Sequence, residues 1–335
     1  MRKALGTILQ YVIFLGLGIW IIFHMITTLK PEQRDELVNA IQSVNAWLLI
    51  PIFIAGFLSH IFRALRWRLL LEPLKIYPGL VNTTFAVLIG YVMNLVLPRA
   101  GEVAKCTILA RYEKVPAHKM VGTIVSERAF DLLCLFVIAA AAFTIEAHVI
   151  SDYVADLTRG IYDKILSHRV VLMSILAGLA VIAIALILVY RRHKETKVGH
   201  FMREMSHGIM SILHMKKRGA FLGYTFLIWF MYTAQIYLGF LSLQGTEHLA
   251  ASVALVVLVY GAVGMIITPG GIGAYTLLVA EILTAYNISE VSAQAFGWIA
   301  WAAQTGILII LGVCSLLLIN VYNRKRHVEI AVDRK

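Results

Sequence analysis

Charged and amide side chains occur within two apolar stretches of this sequence, 80–112 and 119–145. Several of them are three or four residues apart, the spacing that places side chains on one face of a helix. Around a Pro/Gly break and in the apolar stretch that follows lie Asn94, Arg99, Glu102, Lys105, Glu127, Arg128 and Asp131. Ionisable groups inside apolar segments of membrane length are costly and mark candidate functional sites. Arginine side chains can hold a phosphate through charge-assisted hydrogen bonds, and carboxylates can receive a cationic or hydroxyl-rich group. This set therefore predicts a site for a polar headgroup.

The spacing of these residues also predicts how they pair with one another. Glu102 and Lys105 fall on neighbouring turns of one helix, and Glu127 and Asp131 share one face of the next. Arg128 can reach Asp131 at i+3. The three basic and three acidic members balance, so the set can be neutral overall. An alternative is that the network only fixes the broken segment to the following helix, because a buried ion pair alone says little about function.

A second break, Thr268-Pro-Gly-Gly-Ile-Gly273, carries no charge. Its glycines, Gly270, Gly271 and Gly273, could expose backbone N–H groups at a helix start, which suits an anion. Close helix packing explains them equally well. Glu281 lies two turns further on; it could carry a proton, contact a cation or be a solvated side chain.

The composition places all of these residues in a membrane protein. The 335 residues are 60% hydrophobic and 15% charged, whereas soluble domains carry about 25% charged residues. We therefore expect a single integral membrane domain over 1–335, without a cofactor, a metal or a nucleic-acid partner. The net charge of +11 is concentrated beside the apolar segments, as is typical of cytoplasmic membrane loops.

Placing the basic clusters in the cytoplasm predicts a multi-pass membrane protein with both termini inside. Arg63, Arg66 and Arg68 at the end of one segment are interpreted as interfacial anchors. The sequence also predicts an amphipathic helix on the cytoplasmic surface over about 198–215. The expected full spans are 7–28, 46–70, 119–145, 170–190, 219–243 and 292–320.

Two further apolar pieces, 80–112 and 249–286, contain the breaks. Each has a glycine eight residues before a proline, Gly90 before Pro98 and Gly261 before Pro269. Loop charges place both ends of the first piece inside and both ends of the second outside. The sequence thus predicts an all-α polytopic membrane protein with about six full spans and two oppositely oriented helical hairpins whose tips meet.

These hairpins define an inverted repeat, an arrangement typical of transporters. The halves are 46–145, with hairpin 80–112, and 219–320, with hairpin 249–286. The alternative is that each piece forms ordinary proline-containing full spans with tight turns.

The order and spacing of these motifs resemble the lysylphosphatidylglycerol synthase transmembrane region family, which includes the flippase part of bacterial multiple peptide resistance factors. The resemblance rests on Asn94…Pro98-Arg-x-Gly-Glu102, Glu127-Arg128-x-x-Asp131 and Pro269-Gly-Gly-Ile-Gly273. It implies a protein of the bacterial inner membrane that moves a lipid, such as an anionic or aminoacylated phospholipid, or a lipid-linked product between leaflets. Fused members carry an aminoacyl transferase; here the chain stops at Lys335, so synthase activity is not expected.

Two other roles compete with lipid transport. The chain could be an accessory partner of a separate lipid synthase, in which the charges only hold helices together. It could also be an intramembrane lipid-phosphate enzyme, which would need a nucleophile beside a base. The first hairpin has no Ser or His, and the second has Ser252 but no His, so we do not expect an enzyme.

Overall fold

The computed structural model describes residues 31–96, 100–149 and 215–332, together with residues 19, 20, 23, 27 and 212. The regular elements in these ranges are helices. Short 3-10 turns at Ala46–Leu48, Glu72–Leu74 and Pro269–Gly271 join some of them. The helices are α1 (Pro31–Gln42), α2 (Leu49–Leu71), α3 (Leu80–Val96), α4 (Ala100–Glu113), α5 (Ala117–Ile145), α6 (Arg218–Ser242), α7 (Ala251–Ile267), α8 (Ala274–Thr284) and α9 (Glu290–Val332).

Within the described ranges, four helical segments are long and apolar enough to cross a membrane: Ala46–Leu74, Ala117–Ile145, Arg218–Ser242 and Glu290–Arg324. They coincide with four of the predicted spans. The chain is therefore a multi-pass, all-α membrane protein. The predicted spans 7–28 and 170–190 and the amphipathic helix 198–215 fall almost entirely outside the described residues.

The two broken pieces form helical hairpins. The legs α3 and α4 cross where a Cβ on Gly101 would collide with the carbonyl oxygen of Gly90. The legs α7 and α8 cross where a Cβ on Gly264 would lie 2.6 Å from Cα of Tyr275. At 1.5 Å per residue α4 is about 21 Å long and α8 about 17 Å, too short for the ~30 Å hydrocarbon core. The alternative of ordinary full spans is therefore wrong for these legs.

Two apolar clusters show that the hairpins begin at opposite ends of the bundle. One cluster joins the end of α2 to α3, α4 and the beginnings of α5 and α6; it includes Trp67, Val87, Leu109, Met120 and Phe221. The other joins the ends of α5 and α6 to α7, α8 and the beginning of α9; it includes Ala142, Phe240, Val257, Leu283 and Phe296. We call the first end the basic end, because helix ends and connections there carry Arg68, Lys75, Arg111, Lys119 and Lys217.

The hairpin tips meet, as predicted. A Cβ on Gly270 would lie 3.3 Å from Cδ2 of Leu95, near the end of α3. The indole N–H of Trp301 in α9 donates to the carbonyl oxygen of Gly270 at 2.8 Å. The tip of the second hairpin thus lies between the first hairpin and α9. The division into repeats 46–145 and 219–320 stays a prediction.

Candidate functional site

Glu127, in the first half of α5, is the centre of a buried ionic network. Its Oε2 lies 2.7 Å from Nζ of Lys105 in α4, and its Oε1 lies 3.3 Å from Nη2 of Arg66 in α2. The Glu127 side chain is only 2% exposed and that of Arg66 is fully buried. Charges buried to this extent must be paired, so the contacts tie α2, α4 and α5 together.

One turn further along α5, Asp131 continues the network. Its Oδ1 lies 2.7 Å from Nη1 of Arg66, and its Oδ2 lies 3.4 Å from Nη1 of Arg63. The Nε and Nη2 groups of Arg63 donate to the hydroxyl oxygen of Tyr232 at 2.8 and 2.6 Å. Because Tyr232 belongs to α6, four helices meet at this network.

The interpretation of Arg63 and Arg66 as interfacial anchors is wrong, since both side chains are buried inside the bundle. The neighbouring Trp67 is also buried; its indole N–H donates to Oγ1 of Thr123 at 2.9 Å. Its ring centroid lies 4.0 Å from Nζ of Lys105. One sequence pattern could have indicated these pairs. Arg63 and Arg66 are three residues apart and so share a face of α2, as Glu127 and Asp131, four residues apart, share a face of α5.

Arg128 and Glu102 form the open edge of the network. Nη2 of Arg128 lies 3.3 Å from Oε1 of Glu102, and the two side chains are 44% and 28% exposed. The predicted contact of Arg128 with Asp131 is replaced by this pair, because Asp131 faces the arginines of α2. The ring of Tyr91 in α3 faces both Arg63, at 5.2 Å, and Arg128, at 5.9 Å.

A cleft between α3, α4 and α5 opens at this edge, lined by Tyr91, Asn94, Glu102, Lys105 and Arg128. Asn94 has a structural role here, because its Oδ1 accepts a hydrogen bond from the backbone N–H of Gly101 at 2.8 Å. It therefore satisfies one of the free donors at the start of α4, as a cap would. The predicted site residue Arg99, just before α4, lies outside the described residues.

The network lies more than two helical turns from the helix ends at the basic end. Lys105 is eight residues before the end of α4, and Glu127 is ten residues after the start of α5. At 1.5 Å per residue these positions are about 12 and 15 Å from the basic end. These distances are about half of the ~30 Å hydrocarbon core, so we expect the charges to lie within the bilayer.

The glycines in the turn of the second hairpin adopt backbone conformations that other residues rarely take. Gly270, Gly271 and Gly273 have φ values of 65°, 71° and 73°, a region that strains other residues. A Cβ on Gly271 would also collide with Sδ of Met265. This accounts for the glycines through conformation and close packing. The turn reaches the first hairpin through Leu95, one residue after Asn94.

Glu281 belongs to the second hairpin. It is an exposed residue of α8, and it interacts electrostatically with Tyr260 of α7 among others. Its helix is the second leg of that hairpin, whereas Glu127, Asp131 and Arg128 lie on α5. The structure thus brings six of the predicted site residues together at the ionic network and its cleft: Asn94, Glu102, Lys105, Glu127, Arg128 and Asp131.

Comparison with known proteins gave a match at the level of a family. No curated protein and no solved structure matches this chain. One family model, described as the lysylphosphatidylglycerol synthase transmembrane region, matches residues 7–312. This match covers most of the chain, including both hairpins and the ionic network. The chain therefore belongs to the lysylphosphatidylglycerol synthase transmembrane region family.

Proposed function

We propose that this protein is a flippase that moves a phospholipid or a lipid-linked product between the leaflets of a bacterial inner membrane. Family membership supports a lipid-related membrane role. The observation that carries the proposal is the ionic network inside the helix bundle, about 12–15 Å from the basic end, with Arg128 and Glu102 at its open edge. A lipid headgroup crossing the membrane needs polar partners at this depth, since hydrocarbon offers none.

The arrangement of the two hairpins supports the same function. Broken helices whose tips meet within a bundle are typical of transporters, in which irregular backbone lines a central site. The cleft lies beside the first hairpin break, and the second hairpin contacts that break from the other end of the bundle. We place the basic end in the cytoplasm because basic loops favour that side. The headgroup would then enter the cleft from the cytoplasmic leaflet.

The experiment is leaflet movement of fluorescent phospholipids in proteoliposomes containing the full chain. Wild type is compared with Arg128→Ala, which removes the exposed guanidinium of the cleft. The matched control is Lys217→Ala, which removes an exposed ion pair with Glu72 outside the network. We expect movement by wild type and the control and at least a tenfold loss in Arg128→Ala, since a charge-assisted hydrogen bond contributes about 1.5–3 kcal/mol.

A second role, as an accessory partner of a lipid synthase, is favoured by one observation. The inner carboxylates are held by cations of the same chain, Glu127 by Lys105 and Arg66, as expected of a network that only holds helices. In this case folded wild type would move no lipid above empty liposomes. A synthase would instead co-purify with it in mild detergent, and disrupting that complex would reduce the synthase activity.

A further inference from the structure

We propose that a second cleft, between α2, α6 and α9, binds one acyl chain of a glycerophospholipid together with the ester carbonyl of that acyl chain. This cleft lies toward the end of the bundle opposite the basic end. The inference goes beyond lipid transport, because it requires only that the protein lies in a bilayer and not that it moves lipids.

The lining of the second cleft is mostly apolar. Apolar side chains from three helices contribute to it, among them Ile52 of α2, Ile236 of α6 and Phe296 and Ile299 of α9. The described lining residues include no acidic or basic side chain. A phosphate or ammonium group would therefore find no counter-charge here, and desolvating an unpaired charge is costly. The cleft suits an uncharged part of a lipid.

The second cleft extends along the helices. Ile52 is three residues after the start of α2, and Gln235 is seven residues before the end of α6, which is about 5 and 10 Å along these helices. Gln304 is fourteen residues after the start of α9, about 21 Å along that helix. All three helices belong to segments long and apolar enough to cross a membrane. We therefore expect acyl chains of the bilayer to surround the cleft.

The second cleft is separate from the ionic network. Arg63 of the network lies eleven residues after Ile52 on α2, about 16–17 Å further along the same helix. Residues of the first hairpin line the cleft at Arg128, whereas α2, α6, α8 and α9 line the second cleft. A lipid headgroup at Arg128 and an acyl chain in the second cleft are thus different binding events.

Two glutamines of the second cleft differ in their hydrogen bonding. Nε2 of Gln235 donates to the carbonyl oxygen of Ile52 at 3.2 Å and so joins α6 to α2. The side-chain amide of Gln304 makes no hydrogen bond to the residues that the structure describes. An amide without a partner in an apolar environment costs free energy. A ligand that accepts a hydrogen bond from Gln304 would remove this cost.

An ester carbonyl has the chemistry that this amide needs. Its oxygen is an uncharged acceptor, and the amide group of Gln304 offers two N–H donors. In a glycerophospholipid the ester directly follows the apolar chain, so one ligand can fill the apolar cleft and pair with Gln304. An isoprenoid chain has no acceptor before its charged headgroup, for which the cleft provides no cation.

The test is photolabelling of the purified full chain in neutral detergent by a glycerophospholipid with a photoreactive group on one acyl chain. Peptide mass spectrometry locates the label, which we expect on the segments of α2, α6 and α9 that line the cleft. Unlabelled diester and diether lipids with the same chains and headgroup then compete with the probe. The diether lacks only the carbonyl, so we expect it to compete about fivefold more weakly, the effect of one uncharged hydrogen bond.

Substitution of Gln304 tests the hydrogen bond. Gln304→Leu should remove the preference for the diester lipid while keeping the labelling of the cleft. Gln294→Leu is the matched control, because Gln294 lies on the same helix, its amide donates to Glu290 and it does not line the cleft. This control should keep the preference of wild type.

Filling the cleft tests the position of the acyl chain. Ala303 lines the cleft, so Ala303→Phe should reduce the labelling there at least tenfold for the diester and diether lipids alike. Ala302→Phe adds the same ring at an exposed position of α9 and should leave the labelling unchanged. If Ala303→Phe does not fold, the comparison of Gln304→Leu with Gln294→Leu still decides the proposal.

Several outcomes would overturn the proposal. Equal competition by the diester and diether lipids in wild type would exclude the contact between the ester and Gln304. Absence of label from the cleft, or labelling that Ala303→Phe leaves unchanged, would exclude the cleft as the site of the acyl chain. An isoprenoid alcohol that competes as well as the diester lipid would show a general hydrocarbon site instead.

The photolabelling requires no transport, so the two proposals can fail separately. Ester-dependent labelling without leaflet movement would refute the flippase role and keep the acyl-chain site. Leaflet movement without labelling of the cleft would do the reverse.

Discussion

The ammonium group of Lys105 lies 2.7 Å from Oε2 of Glu127 and joins the second leg of the first hairpin to α5. The other oxygen of the same carboxylate contacts Arg66 of α2 at 3.3 Å. Glu127 is thus shared by two cations from two different helices. The stability of the bundle at this depth should therefore depend more on Glu127 than on Lys105, which pairs with this one carboxylate.

Replacing Glu127 should destabilise the protein more than replacing Lys105. Glu127→Gln leaves Lys105 and Arg66 without this counter-charge, and an uncompensated buried charge costs about 3–5 kcal/mol. Lys105→Met leaves Glu127 paired with Arg66, so the loss should be smaller. Thermal unfolding of both variants in the same detergent measures the order. Equal melting temperatures would contradict the central position of Glu127.

The two arginines at the end of α2 should behave differently although they are two residues apart. Arg66→Met removes a fully buried guanidinium that contacts Glu127 and Asp131, and we expect a large loss of folded protein. Arg68→Met removes a partly exposed side chain and should change stability by less than about 0.5 kcal/mol. The yield of monodisperse protein after gel filtration compares them directly. Similar losses for the two variants would contradict a special role of Arg66 in the network and would favour an interfacial role for both arginines.

The sequence predicted the hairpins better than it predicted the network. The breaks were visible because Pro98 and Pro269 follow apolar runs of helical length, and a proline with glycines interrupts a helix by its local chemistry. Which face of α2 carries Arg66 into the bundle depends on how α2 packs against α5 and α6. The hydropathy of the sequence does not show which face this is. An arginine near a helix end gives the same hydropathy pattern whether its side chain faces lipid headgroups or the protein interior.

The same limit explains the partner of Arg128. Spacing along one helix predicted Asp131 as the partner of Arg128, but Asp131 pairs with arginines of α2 and Arg128 pairs with Glu102 of α4. Contacts within a helix follow from sequence separation, whereas contacts between helices depend on the packing. The sequence thus contained most members of the site and few of its pairings.

The glycine crossing of the first hairpin gives a third prediction. Gly101→Ala should destabilise the protein because the added Cβ would collide with the carbonyl oxygen of Gly90. Gly122→Ala is the matched control, since no neighbouring atom lies within 4 Å of its added Cβ. In a helix that substitution should be neutral or stabilising by up to about 1 kcal/mol. Melting temperatures that fall only for Gly101→Ala would confirm the crossing, and a fall in both would contradict it.

Asn94 should act through its side-chain oxygen. Asn94→Ala removes the acceptor for the N–H of Gly101 and should cost about 1 kcal/mol, as for other helix caps. Asn94→Asp keeps the acceptor and should restore most of the stability. Hydrogen exchange at the backbone of Gly101 measures the effect at the site itself. Equal protection in Asn94→Ala and wild type would show that the bond does not hold the start of α4.

The crossing of Gly90 and Gly101 has a consequence for how the first hairpin can move. The two legs are in close contact there, and Asn94 of α3 accepts the backbone N–H of Gly101 in α4, so we expect α3 and α4 to shift as one body. Glu102 and Lys105 both belong to that body, and both of their ion pairs end on α5. The two pairs would therefore break together in any such shift, and the release of the hairpin from α5 would be all-or-none, with no stable state in which only one pair is broken.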